Sequence, residues 1–369
     1  DIEFSCDKPV FPNAITPVAG LMELLRDIGY TFNISVSGKS SEYLTRTSFG
    51  LPKSATTEKN ELCESPFDVV WRFDDYIGVS DIVSSFVEGV SQLDVCKKGV
   101  LDGLTWCLNE VMDNVINHSL AKSGYILGQI HKNRKHIALC IFDGGQGIYN
   151  SLRSSEHRPR NPLDAITLAI REGVTRDKSI GQGNGMWGLH RIIEDNSGSL
   201  TITTGSASYF MQNRIPVTYN AIPFFSNENQ CTTVDFQIDY DKEISIKKAL
   251  GGYDVLNLRV ENLENDQGEL VFKVAEKANG TGTRDSGSRL RNEILNLYIE
   301  SGKTIVVDFS KVAVVSSSFA DEMIGKLYVE LGIINFNQII RLNGMNETIL
   351  SIVQRSVSQR IVESFTSIK

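Results

Sequence analysis

Residues 136–147 read His-Ile-Ala-Leu-Cys-Ile-Phe-Asp-Gly-Gly-Gln-Gly, an apolar run that ends in an acidic, glycine-rich segment. Apolar side chains fill both alternating sets of positions, a pattern typical of a strand buried on both faces, so we predict a central strand at His136–Phe142. The carboxylate of Asp143, at the end of this strand, can accept a hydrogen bond from an exocyclic amine. Gly145 and Gly147 would let a flat ring approach the backbone. A tight turn would use the same residues, and the segment alone does not decide between the two.

A helix predicted upstream, at Lys98–Ser119, carries polar residues at every fourth position. Glu110, Asn114 and His118 therefore lie along one face of that helix, beside its apolar stripe. A carboxylate and an amide there can do two jobs, because Glu110 can orient and deprotonate a water while Asn114 gives an oxygen to Mg²⁺. Polar residues at this spacing are also typical of a solvated helix face, so other segments of the sequence must decide between the two interpretations.

A third segment, residues 181–189, reads Gly-Gln-Gly-Asn-Gly-Met-Trp-Gly-Leu and leads into another predicted helix. Free backbone amides at the start of a helix can hold phosphate oxygens, so these glycines are candidates for a phosphate loop. Residues 183–188 also match Gly-x-Gly-x-x-Gly, the fingerprint of dinucleotide-binding proteins and protein kinases. However, the preceding residues are polar where a dinucleotide-binding unit needs a strand, and the sequence has no His-Arg-Asp or Asp-Phe-Gly motif of a kinase.

The three segments, in this order and at these intervals, resemble the N, G1 and G2 boxes of the GHKL ATPase superfamily. Residues 110–114, Glu-Val-Met-Asp-Asn, resemble the Glu-x-x-Asp-Asn of gyrase and mismatch-repair ATPases, and the continuation to His118 is similar to anti-sigma-factor kinases. The resemblance covers roughly residues 75–240. It implies a Bergerat fold of the α/β class (an α+β sandwich), with a mixed sheet, helices on one face, and ATP between them. It also implies a lid over the nucleotide at about residues 174–185.

The resemblance assigns roles to individual residues. Glu110 would be the general base, Asn114 the ligand of Mg²⁺, and Asp143 the adenine contact. His118 matches a position near the phosphates, and a structural histidine is the alternative. Thr232 matches a threonine that helps to hold adenine, with Cys231 in place of the usual glycine. The other nucleotide-binding residues that the resemblance implies are all glycines: Gly145 and Gly147 at the adenine end, and Gly181, Gly183, Gly185 and Gly188 at the phosphates.

Composition and charge narrow the classes of partner. The 369 residues are 41% hydrophobic and 22% charged, as in a folded multidomain protein, and the formal net charge of −8 argues against nucleic acid as a partner. The six cysteines form no Cys-x-x-Cys pair, so neither structural zinc nor a disulfide framework is expected. With no run of about 18 apolar residues and no signal-peptide pattern, we expect a cytoplasmic protein without a membrane partner.

Changes of pattern along the chain predict three domains: a small N-terminal α/β unit at 1–68, the ATP-binding domain at 69–240, and a second α/β domain at 241–369. In the last domain, residues 306–309 (Val-Val-Asp-Phe) and 314–321 (Val-Val-Ser-Ser-Ser-Phe-Ala-Asp) resemble STAS-like domains. That class includes the anti-sigma-factor antagonists. This second resemblance covers about residues 250–360.

The antagonists carry a serine that a GHKL kinase phosphorylates, and the resemblance makes Ser317 the candidate phosphoacceptor of this chain. The residues themselves leave another interpretation open. Ser318 can cap the helix that follows, with Asp321 completing a pair similar to a capping box.

Three functions are compatible with these features. The first is an ATP-binding regulatory protein, in which Mg²⁺-dependent hydrolysis by a GHKL-type ATPase drives a conformational or assembly switch. It would act on a protein partner held by the STAS-like and N-terminal units, or on a second copy of the chain as a homodimer. The second is a serine kinase of the anti-sigma-factor type, and the third is a nucleotide sensor without turnover. Histidine autophosphorylation is not expected, because no histidine precedes His118.

Overall fold

The computed structural model describes residues 1–174, 184–222, 230–252 and 258–366. The described residues divide into two compact units: the first comprises Asp1–Gly89 and Gly99–Asp254, and the second comprises Val90–Lys98 and Val255–Lys369. Residues 1–68, expected to form a small unit of their own, therefore belong to the same unit as the predicted ATP-binding domain.

The first unit contains both strands and helices. Its strands are β1 (Ile2–Ser5), β2 (Ile34–Ser37), β3 (Lys53–Ser54), β4 (Trp71–Phe73), β5 (Gly124–His131), β6 (His136–Asp143), β7 (Ser199–Thr204), β8 (Ala207–Gln212), β9 (Ile215–Tyr219) and β10 (Thr232–Asp239). Its helices are α1 (Pro12–Asp27), α2 (Ser41–Arg46), α3 (Lys59–Glu64), α4 (Tyr76–Leu93, whose last residues belong to the second unit), α5 (Val100–His118), α6 (Gly147–Arg153), α7 (Pro162–Ala169), α8 (Gly185–Asn196) and α9 (Ile246–Ala249), with a 3₁₀ turn at Lys132–Arg134.

Among the described residues, eight strands form one mixed sheet in the order β3-β4-β5-β6-β10-β7-β8-β9. Strands β3 and β4 run parallel, and the other neighbouring pairs are antiparallel. Strand β6 pairs with β5 on one side and β10 on the other, which confirms the central strand that its continuous apolar run predicted. In the pairing of β6 with β10, Asp143 lies opposite Thr232.

Helices cover both faces of this sheet. Helix α1 contacts β5, β6 and β10 on the face that carries Phe142, while α5 contacts the same three strands and therefore lies on the opposite face. The mixed α/β class is thus confirmed, and α1, from the residues that were expected to form a separate unit, covers the face of the sheet opposite to α5. The physical reason lies in β6 itself, because Phe142 and Cys140 point away from α5 and would meet water if α1 did not cover them.

The second unit is a smaller α/β structure. It contains α10 (Leu258–Glu261), β11 (Leu270–Lys273), α11 (Val274–Lys277), α12 (Arg284–Ser301), β12 (Ile305–Asp308), α13 (Ser317–Ala320), a π-helical turn at Asp321–Gly325, α14 (Lys326–Ile339), β13 (Ile340–Asn343) and α15 (Glu347–Thr366). In its described part, β11, β12 and β13 form a parallel sheet in that order.

A membrane span is not found in the described parts of the chain, where every helix is too short or too polar to cross a bilayer.

Candidate nucleotide site

Helix α5 carries the first group of predicted site residues. Its apolar stripe, which includes Leu104, Leu108 and Val111, is buried against the rest of the unit. Glu110 and Asn114 are half-buried on a neighbouring face, so the helix is not simply solvated along its polar side. The sequence had predicted this helix at residues 98–119, within two residues of the observed ends.

The N-terminus of α8 meets these two side chains. A Cβ atom placed on Gly185, the first residue of α8, would lie 3.4 Å from Cδ of Glu110 and 3.7 Å from Nδ2 of Asn114. The buried Nδ2 of Asn114 has no hydrogen-bond partner among the residues that the structure describes, although buried amides are usually paired. The side-chain amide of Asn114, the carboxylate of Glu110 and the N-terminus of α8 therefore lie next to one another.

The carboxyl group of Glu110 has unusual acidity for a glutamate. Burial, and to a smaller extent the nearby charge of Asp113, together raise its pKa to about 7. The pKa of Asp113 is also raised, by burial. A carboxylate whose pKa lies near neutral pH is well matched to taking up a proton from water.

The second group of predicted residues lies at the end of β6, next to the C-terminus of α5. Asp143 is 6% exposed, and this burial raises the pKa of its carboxyl group to about 6. Two hydrogen bonds oppose the rise: the backbone N–H of Gly145 donates to Oδ1 at 2.9 Å, and the hydroxyl group of Thr232 donates to the carboxylate. Thr232 therefore lies beside Asp143, even though Cys231 replaces the expected glycine.

The loop after Asp143 is fastened to the end of α5. The backbone N–H of Gln146 donates to the carbonyl oxygen of Ser119 at 2.7 Å, and its side-chain Nε2 donates to the carbonyl oxygen of His118 at 2.7 Å. A Cβ on Gly145 would lie 2.6 Å from the carbonyl carbon of Ser119, so this position has no room for a side chain. The loop after Asp143 is therefore held against the C-terminus of α5.

Two other glycines of the predicted site have packing roles. Gly147 begins α6 with φ at +72°, and a Cβ there would lie 2.7 Å from Oγ1 of Thr204. Gly188 is buried where α8 crosses α5, and a Cβ would lie 2.7 Å from both Cζ3 of Trp106 and Cδ2 of Leu250. Gly188, which is predicted to be a phosphate-binding glycine, lies against these side chains.

Trp106 was not among the predicted residues. It lies four positions before Glu110 on α5 and packs against α8 at Gly188, so it fixes the approach of the two helices. The fourfold spacing that selected Glu110 and Asn114 extends back to this residue and was the available signal. His118, one turn beyond Asn114, is half-buried. Gly181 and Gly183, and most of the predicted lid, lie outside the described residues.

The serine cluster of the second unit begins a helix. Ser316 is the N-cap of α13, and its Oγ accepts a hydrogen bond from the backbone N–H of Phe319 at 3.0 Å. The interpretation that Ser318 caps this helix is therefore wrong, and Asp321 instead accepts two hydrogen bonds from Arg360, at 2.7 and 2.6 Å. Ser317 is the first helical residue and is exposed.

Comparison with known proteins supports one of the two resemblances. A family model described as a STAS-like domain of unknown function (DUF4325) matches residues 286–350. This match spans α12 to the start of α15, and the second unit therefore contains a STAS-like domain. Searches of curated proteins and of solved structures gave no match.

Proposed function

We propose that the first unit binds ATP with Mg²⁺ in a GHKL-type site and hydrolyses it, so that the nucleotide state switches the conformation or assembly of the protein. One observation carries this proposal: the first residue of α8 lies against both Glu110 and Asn114. These residues come from segments about seventy positions apart, and a solvated helix face would not bring them to a helix N-terminus. The arrangement offers backbone amides for phosphate, an amide for a cation and a carboxylate for a water.

In this proposal, one group of residues binds the adenine and another group carries out the hydrolysis. Asp143, with Thr232 beside it, accepts a hydrogen bond from the exocyclic amine of adenine. In the second group, Glu110 orients a water toward the γ-phosphorus and accepts its proton as the bond to the β-phosphate oxygen breaks and ADP leaves. Asn114 would hold the Mg²⁺, which supplies charge neutralisation at the phosphate oxygens.

The deciding experiment measures phosphate release and nucleotide binding on the same samples of the full chain. We expect Glu110→Gln to lower kcat by about 10²- to 10⁴-fold, because a positioned base contributes that much, while ATP still binds. Asp102→Asn is the matched control, since Asp102 is a carboxylate in the first turn of the same helix without a proposed role in the reaction. Asn114→Ala should abolish the Mg²⁺-dependent turnover, because it removes the proposed ligand of the metal.

Other outcomes identify the other functions. Unchanged turnover in Glu110→Gln would rule out the assigned mechanism, and no nucleotide binding by the wild type would rule out the site. Binding without turnover would leave a serine kinase or a nucleotide-sensing module.

A second candidate function is a serine kinase that transfers phosphate to a STAS-like serine, in this chain or in a partner. The observation that favours it is the exposure of Ser317 at the first position of a helix in the STAS-like domain. A phosphate there would be stabilised by the helix N-terminus. Mass spectrometry after incubation with Mg²⁺ and ATP would detect the added phosphate, and its persistence in Ser317→Ala would exclude this residue as the acceptor.

A further inference from the structure

Helix α1 approaches the sheet unusually closely beside the adenine end of the proposed site. A Cβ on Gly20, in the middle of α1, would lie 2.5 Å from Cε1 of Phe142 and 3.0 Å from Cδ2 of Tyr125. A glycine inside a helix costs about 1 kcal/mol relative to alanine, so its presence calls for a packing reason. The reason here is that the backbone of α1 lies directly on the ring of Phe142.

One turn later, α1 reaches the loop that follows β6. A Cβ on Gly144 would lie 2.8 Å from Cδ2 and 2.9 Å from Cγ of Leu24, so the leucine side chain fills the space that a side chain at position 144 would need. Leu24 packs with the same apolar cluster as Phe142. The residues before and after Asp143 therefore both face α1.

Asp143 itself points the other way. Side chains alternate between the faces of a strand, so the carboxylate between Phe142 and Gly144 faces away from α1 and toward the proposed nucleotide site. The same alternation holds on the neighbouring strand. Cys231 packs with the α1 cluster, whereas Thr232 bonds to Asp143. The two residues proposed to hold adenine thus stand on backbone whose other side rests on α1.

The first turn of α1 is attached to the same strand by a polar contact. The side chain of Asn13 hydrogen-bonds to Asp235, a buried carboxyl group on β10, three residues after Thr232. Helix α1 is therefore held near both ends: Asn13 bonds to β10, and Leu24 packs on the loop after β6.

We propose that α1 is a positioning element of the nucleotide site, with Leu24 as the residue that fixes the loop from Asp143 to Gly145 in the conformation that accepts adenine. This inference rests on the proposed function, because it takes Asp143 as the adenine contact. It gives the N-terminal segment a role in ATP affinity, exerted from the side of the sheet opposite to the nucleotide.

The test uses three leucine and glycine variants of the full chain and the Kd for ATP measured by calorimetry. Leu24→Ala should weaken ATP binding about tenfold, since small displacements of binding groups carry penalties of this size or larger. Leu21→Ala, on the exposed side of the same helix, removes the same atoms and should change the Kd by no more than about twofold. Where turnover is measurable, Leu24→Ala should raise KM and leave kcat nearly unchanged.

A rescue experiment separates positioning from simple loss of fold. Gly144→Ala should weaken ATP binding, because the new methyl group meets Leu24, and adding Leu24→Ala removes the atoms that it meets. The double variant should therefore bind ATP more tightly than Gly144→Ala alone. Wild-type affinity in Leu24→Ala, or no recovery in the double variant, would overturn the inference, whereas a wild type that binds no ATP would overturn the proposed function instead.

Discussion

Replacement of Asp143 by asparagine tests the adenine end of the site directly. The variant keeps the shape of the side chain, and its single oxygen can still accept the hydrogen bond from the N–H of Gly145. Its amide nitrogen then occupies the position of the second carboxylate oxygen. A donor would therefore face the exocyclic amine of adenine, which is itself a donor.

The expected loss follows from the bond that disappears. Hydrogen bonds to charged groups are worth about 1.5–3 kcal/mol, and losing one weakens the Kd for ATP by about 10- to 150-fold. Thr232 limits the damage to the protein, because its hydroxyl group can turn and accept from the new amide. The loss should therefore appear in binding and not in folding.

The stability of the unliganded protein is the internal control. Burial raises the pKa of Asp143 to about 6, so the folded protein favours the neutral carboxyl group. The stability that the neutral form contributes is lost as the pH rises through 6, where Asp143 ionises. Asp143→Asn does not ionise. At pH 8 the variant should be at least as stable as the wild type, which excludes unfolding as the cause of weaker binding.

Calorimetric titration at pH 8 with Mg²⁺ and either ATP or GTP completes the assay. Guanine presents a carbonyl oxygen where adenine has its amine, so the asparagine amide should lower the preference for ATP as well as its affinity. An ATP affinity and an ATP-to-GTP ratio equal to those of the wild type would refute the assignment of Asp143 to adenine.

Two further predictions concern stability. Asp235 is buried, and its pKa is raised to about 7, so its contribution to stability is present below about pH 4 and is lost as the pH rises through 7. Asp235→Asn should remove this loss of stability, which is worth up to about 4 kcal/mol between pH 4 and pH 8. Denaturant unfolding followed by tryptophan fluorescence measures the stability, since all three tryptophans lie in the first unit. A pH profile of stability equal to that of the wild type would contradict the prediction. In the second unit, buried Asn296 accepts from the N–H of Cys96 and donates to the carbonyl groups of Ser91 and Asp94. Asn296→Ala should cost about 3 kcal/mol and raise hydrogen exchange in α12, whereas exposed Asn335→Ala should not; equal exchange in both variants would argue against this role.

Local pattern was sufficient for the elements that carry the proposed site. The apolar run of β6 predicted its central place because a strand buried on both faces needs neighbours on both sides and cover on both faces. The fourfold spacing placed Glu110 and Asn114 together because the helical period alone determines that geometry. The meeting of these side chains with Gly185 was an expectation from resemblance, and no local rule would have supplied it.

The position of α1 could not be read from local pattern. Its contacts with Phe142 and Gly144 join residues more than one hundred positions apart, and its own sequence fits a helix of a separate small unit equally well. Two signals pointed to it in retrospect. Phe142 and Cys140 required cover on the second face of the sheet, and Gly20 interrupted the apolar run of residues 18–22, where close packing is the physical reason for a glycine.

Each of the three glycines after Asp143 is required for a different physical reason, whereas the sequence pattern suggested a single reason for the glycine-rich segment. Gly144 makes room for Leu24, Gly145 for the backbone at Ser119, and Gly147 adopts a positive φ next to Thr204. The loop is thus held from α1, from the end of α5 and from β7, so its conformation is set before any ligand arrives. Preorganisation of this kind reduces the entropy cost of binding. Substitutions at these three glycines should therefore weaken ATP binding without touching the nucleotide, and the affinity of the proposed site would depend on all three neighbours remaining in place.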